Sequence, residues 1–97
     1  MEKMIYLNNL YDYYKDMFTE KQQYYFEQYY QNNLSLAEIA EIDNVSRNAV
    51  HNQLKIVEAK LEEYERIFKL LEKKNKIIDL LDKKISSDLL EKVVELL

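Results

Sequence analysis

Asn33 to Lys55 reads NLSLAEIAEIDNVSRNAVHNQLK, and this stretch decides the fold. Ser35 and Glu38 form an S-x-x-E pair directly ahead of Leu36, Ile39 and Ala40, the pattern of a helix opened by a reciprocal cap. Asp43-Asn44 interrupts the pattern, and Ser46 then stands where it can cap a second helix carrying Ala49, Val50 and Leu54 at helical spacing. Two short helices joined by three or four residues predict a helix-turn-helix, the unit that lays its second helix in a DNA major groove. Such turns often use glycine, which this chain lacks, so Asp43 or Asn44 must take any left-handed position.

Upstream, Met4, Leu7, Tyr11 and Tyr14 recur at three or four residues and predict a helix over about 3–15. Thr19 with Gln22 forms another capping box, opening a helix that turns Tyr25, Phe26, Tyr29 and Tyr30 inward. Asn32-Asn33 closes it, because Asn substitutes for Gly at a left-handed helix end.

Downstream, Val50, Leu54, Val57, Leu61, Tyr64, Phe68 and Leu71 alternate steps of four and three. That is the stripe of a helix lying along a neighbour, so the recognition helix is expected to run far beyond Lys55. Asn75 falls on the next step, where it either ends the stripe or sets its register, and the apolar face widens at Ile77, Ile78, Leu80 and Leu81, which places a bend or a change of partner near residues 73–76. Ser86-Ser87-Asp88 with Glu91 caps a final helix too apolar to stand free in water. The expected organisation is a helix-turn-helix domain over 1–60 and a helical arm over 61–97, continuous with the recognition helix.

Composition narrows the classes. The chain has 97 residues, 47% hydrophobic and 33% charged, with a formal net charge of −4. One folded domain of this size buries about 60–65% of its unfolded surface without staples. Cysteine, glycine and proline are absent, which excludes disulfides, thiolate metal sites, the P-loop and the dinucleotide fingerprint. The N-terminus MEKMIYLNNL has no signal-peptide core, and no uncharged apolar run approaches the roughly 18–20 residues that span a bilayer. The expectation is an all-α cytoplasmic protein that needs no cofactor or metal, inserts in no membrane and takes no small-molecule substrate. The excess of Lys over Arg, and of Asn, Ile and Tyr, points to an AT-rich coding genome.

The stretches TEKQ at Thr19–Gln22, YY at Tyr29–Tyr30, LSLAEIA at Leu34–Ala40 and VSRNAVHNQLK at Val45–Lys55 resemble the YlxM-like family of small bacterial proteins. The resemblance implies a helix-turn-helix similar to region four of sigma factors, extended by a C-terminal helical arm. It also implies a regulator tied to the signal recognition particle pathway, with the particle's protein or RNA as partner. Sigma region four usually carries a strongly basic recognition helix, and here the helix is mixed.

The candidate nucleic-acid-binding residues are Arg47, Asn48, His51, Asn52 and Lys55, which sit off the Ala49–Val50–Leu54 face. Arg suits guanine, Asn suits adenine, and Lys suits the phosphate backbone. The plain alternative is a solvated helix face. Over 34–60 three cations oppose four carboxylates, so duplex binding is expected to be weak at physiological salt. His51, the sole histidine, has no nucleophile or acid partner in pattern, and no enzyme chemistry is expected. Tyr6, Tyr13 and Tyr24 are the tyrosines left off the core pattern, where RNA bases stack if this is an RNA-binding accessory factor. Leu61, Tyr64, Phe68, Leu71, Ile78 and Leu81 form the candidate dimerisation or partner stripe, which either packs inside the monomer against the first helix or pairs with the same helix of another subunit; the stripe's length favours a homodimer. Two readings of function follow: a regulator of the signal recognition particle pathway, and a sequence-specific DNA-binding transcriptional regulator.

Overall fold

With no glycine to use, the chain ends its helices on other residues. Asn33, Asn44, Lys69 and Lys83 all take positive φ, between 55° and 65°. The computed structural model describes residues 2–97 and contains six α-helices and no strand among them. They are α1 (Glu2–Tyr14), α2 (Glu20–Phe26), α3 (Leu36–Asp43), α4 (Arg47–Phe68), α5 (Leu70–Leu81) and α6 (Ser87–Leu96). A 3₁₀ turn, Lys15–Met17, links α1 to α2, and a π-helical turn, Glu27–Gln31, extends α2.

The predicted caps form. Thr19 and Gln22, and likewise Ser35 and Glu38, make both reciprocal hydrogen bonds of a capping box. Ser46 accepts the Ala49 N–H at 3.0 Å and opens α4. Asn44, not Asp43, takes the left-handed position that closes α3. At the last helix Ser86 alone is the cap, accepting from the Leu89 N–H at 3.2 Å. The Asp88–Glu91 box of the sequence reading is displaced because both residues already lie inside α6.

α4 is the spine. Its Val50 and Leu54 pack with Tyr25, Ile39 and Ala40 into the core of the helix-turn-helix. One turn further, Val57 and Leu61 pack with Leu7, Leu10, Tyr11, Tyr14, Phe18 and Phe26 from α1 and α2. Each such side chain, fully buried, stabilises by roughly 1.5–3 kcal/mol before chain entropy is counted. The π turn, which nothing in the sequence reading anticipates, leaves Tyr30 half-buried against both clusters. Tyr11 stacks on Phe26 with ring centroids 4.2 Å apart.

Three tyrosine–glutamate hydrogen bonds tie separate segments together. The Tyr11 hydroxyl donates to Glu27 at 2.6 Å, Tyr14 to Glu65 at 2.8 Å and Tyr30 to Glu58 at 2.5 Å. Burial, with these carboxylate partners, pushes all three phenols above their ordinary value, Tyr14 to about 12. Tyr13 and Tyr24, read from the pattern as exposed, are in fact half-buried against the two clusters. Tyr6 alone of that trio stays exposed.

The long rod breaks earlier than the pattern suggests. Lys69 takes φ 55° and separates α4 from α5, so the turn lies at 69 and not near Asn75. Lys69 offers α5 no side-chain cap, and the cap comes from elsewhere in the fold. Glu65 accepts from the Leu71 and Glu72 N–H groups at 3.1 and 3.0 Å, and the Tyr14 hydroxyl accepts from Leu70 at 3.3 Å. α5 then lies against α1, with Leu71 as its buried anchor and the Lys74 ammonium 5.8 Å from the Tyr13 ring centre. α6 folds back on α5: Leu97 lines one hollow of about 370 Å³ with Leu71, Lys74 and Asn75 from the start of α5. The molecule is elongated, 53 × 25 × 22 Å.

Candidate nucleic-acid interface

The capped start of α4 and the turn at Asn44 determine what the recognition helix shows. With Val50, Leu54 and Val57 held in the core, Arg47, Asn48, His51, Asn52 and Lys55 all fall on the outer face and all are exposed. At about 100° per residue they span roughly 140° of the helix circumference. The structure therefore brings the five predicted residues together on one surface. The first turn of α4 holds no acidic residue, so its helix-dipole positive end is not offset there.

The electrostatics of this face are thin. Lys55 stands 3.8 Å from Glu58, which also lies 3.9 Å from Lys3 and accepts from Tyr30. One of the two cations on the face thus leans toward a largely buried carboxylate. Arg47 makes no ion pair among the described residues. Glu38 lies beyond the turn on α3, its carboxyl held below the ordinary value by the hydrogen bonds it makes with Ser35.

The residues read from the sequence as an arm divide into two groups. Leu61 is wholly buried, Leu71 nearly so, and Tyr64 packs beside them, all against α1 in the same chain. Leu61 and Leu71 cannot face a partner without unpacking the core. Phe68 remains 47% exposed, and Ile78 and Leu81 are half-buried on α5. Between α1 and the junction of α4 with α5 runs an open groove of about 720 Å³, floored by Ile5, Tyr6 and Leu71 and edged by Glu62, Arg66 and Lys69. The sequence reading missed the Glu65–Tyr14 cap and the tie at Glu58. Their only trace in the sequence is the set of Glu residues at helical spacing on an apolar stripe, and no local rule pairs them with tyrosines 28 or 51 residues away.

Among the described residues no group of His, Asp and Glu is placed to hold a metal ion, and no helix is long and apolar enough to cross a membrane. The geometry is that of a helix-turn-helix protein whose second helix presents an exposed polar face. The chain belongs to the UPF0122 family, the helix-turn-helix proteins described as YlxM / p13 like, whose profile matches residues 1–96. It is 43% identical over 91 residues to a UPF0122 protein of Shouchella clausii, covering 91% of this chain and 84% of that one. It is 41% identical to a UPF0122 protein of Halalkalibacterium halodurans, covering 98% and 94%. Against a Bacillus cereus UPF0122 protein the identity is 48% over 73 residues, 75% of this chain and 66% of that one.

Proposed function

We propose that the protein is a non-catalytic cytoplasmic regulator that docks duplex nucleic acid with the outer face of α4. The observation that carries this reading is the single exposed surface of Arg47, Asn48, His51, Asn52 and Lys55, set at the capped end of a helix-turn-helix. Asn48 and Asn52 supply donor–acceptor pairs for adenine, Arg47 the fork for guanine, and Lys55 a phosphate contact. The family resemblance adds the setting, the signal recognition particle pathway. The RNA-stacking reading loses support, since of its three tyrosines only Tyr6 is open.

Binding should be weak. Two cations give a salt slope near −1.8, so affinity falls roughly tenfold between 50 and 200 mM salt. Anisotropy titration of a random duplex across that range tests the docking. The expected result is a log–log slope near −2 that drops by about one in Arg47→Ala. A slope untouched by that substitution overturns the assignment of this face. Pull-down with the particle's own protein and RNA, run beside it, tests the pathway reading independently.

A further inference from the structure

α6 has no buried residue, although it carries Leu89, Leu90, Val93, Val94 and Leu96. Its contact with α5 shields part of that face. Ile77 and Leu81 on α5 and Leu90, Val93 and Val94 on α6 are half-buried, and we take these rows as the sides on which the two helices meet. At about 100° per residue, Leu80 lies about 80° to one side of the first row, while Leu89 and Leu96 lie about 100° to one side of the second. The helices run antiparallel, because Leu97 reaches the start of α5. The two offsets therefore point to the same side of the hairpin. Leu80 is 68% exposed, Leu89 49% and Leu96 87%, with Phe68 and Leu70 open toward the far end.

We propose that this face of the α5–α6 hairpin pairs with the same face of a second copy, closing a four-helix bundle about a two-fold axis. The exposed apolar side chains at this end amount to on the order of 600 Å², the upper limit of what a monomer normally leaves open. That is most of the roughly 800 Å² per partner of a standard-size interface. A two-helix hairpin has one layer and no core of its own until a second layer covers it. Charge selects how the two copies lie. Residues 70–86 carry five lysines against three carboxylates, and α6 carries three carboxylates against one lysine. A two-fold axis along the helices sets each α5 over the partner's α6 and brings opposite signs together. The other two-fold arrangement sets like over like. This interface omits Leu61, Tyr64 and Leu71, which the sequence pattern placed in it.

Sedimentation velocity and cysteine cross-linking test the proposal, and neither depends on nucleic-acid binding. The chain should sediment as a dimer at about 10 µM, and Leu89→Glu with Leu96→Glu should weaken association by roughly 100-fold. Both side chains are exposed in the monomer, so helicity by circular dichroism should be unchanged. Because the chain has no cysteine, Leu80→Cys in one copy and Leu89→Cys in another give an unambiguous probe. Their mixture should form the mixed disulfide in excess of either self-linked species. A wild-type monomer at about 100 µM, or a double variant that dimerises like wild type, overturns the proposal. So does a mixture in which self-linked species dominate, or a monomer that co-sediments with anionic vesicles, which would assign the patch to a lipid surface.

Discussion

Glu65→Ala is expected to release α5 from the rest of the molecule. The carboxylate accepts two first-turn N–H groups of α5 and the Tyr14 hydroxyl, at distances of 2.8–3.1 Å. Hydrogen bonds to an ionised group contribute about 1.5–3 kcal/mol, and loss of an N-cap costs about 0.5–2 kcal/mol. These figures describe one carboxylate and overlap, so the working value is about 2 kcal/mol. The only buried apolar anchor of α5 is Leu71, itself worth roughly 1.5–3 kcal/mol, so the cap and the anchor are of equal weight. Removing the cap should open α5 locally well before the two-cluster core unfolds. Native-state hydrogen exchange reads this directly: amides in the middle of α5 should exchange roughly 30-fold faster, while those of Val57 and Leu61 keep their protection. Glu65→Gln, which retains one acceptor oxygen, should show about half the effect in free energy. Exchange in α5 within about threefold of wild type in Glu65→Ala would refute the capping argument.

Three further outcomes follow from the same geometry. Lys69→Gly should stabilise the protein by about 0.5–1 kcal/mol, since relief of a left-handed lysine (about 1–2 kcal/mol) outweighs the added freedom of the unfolded chain. Thermal unfolding should move up by about 2–8 °C, and a fall in Tm would show that Lys69 is not strained. Tyr11, Tyr14 and Tyr30 have phenols raised in the folded state, so the stability they contribute is complete below pH 10 and lost as pH rises toward 12 and beyond. Phenolate absorbance and ellipticity should change together over that alkaline range; tyrosines that all ionise near pH 10 with the fold intact would contradict this. Leu61→Ala should cost about 2–5 kcal/mol at every protein concentration, because its neighbours are in its own chain. A concentration-dependent loss, read from urea midpoints, would place Leu61 between copies instead.

What could be read from the sequence was the local chemistry. Thr19, Ser35 and Ser46 open helices because a hydroxyl beside a helix start satisfies orphan N–H groups, whatever the rest of the chain does. Asn44 closes α3 for an equally local reason. The face Arg47–Lys55 followed from helix period alone. Apart from the Asp88–Glu91 cap, the misreadings involve distance along the chain. An alternating stripe says that a helix lies on something, and it does not distinguish α1 of the same chain from α4 of another. Leu61 and Leu71 fit either neighbour by pattern, and only their burial beside Leu7, Leu10 and Tyr14 decides for α1. The joint at Lys69 carries no signal, since lysine is a good helix former, and the left-handed turn is held by Glu65 and Tyr14. The π turn carries Tyr30, whose hydroxyl finds Glu58, 28 residues away.

Because α4 serves both hydrophobic clusters, the helix-turn-helix and the tail share one girder. A chain cut after Lys60 would keep every residue of the helix-turn-helix yet strip Leu61, Leu71 and Glu65 from the wall that α1 leans on. Such a fragment should be a poor stand-in for the whole. Equally, whatever holds the far end of the girder also constrains the helix-turn-helix at the other, because α4 runs unbroken from Arg47 to Phe68.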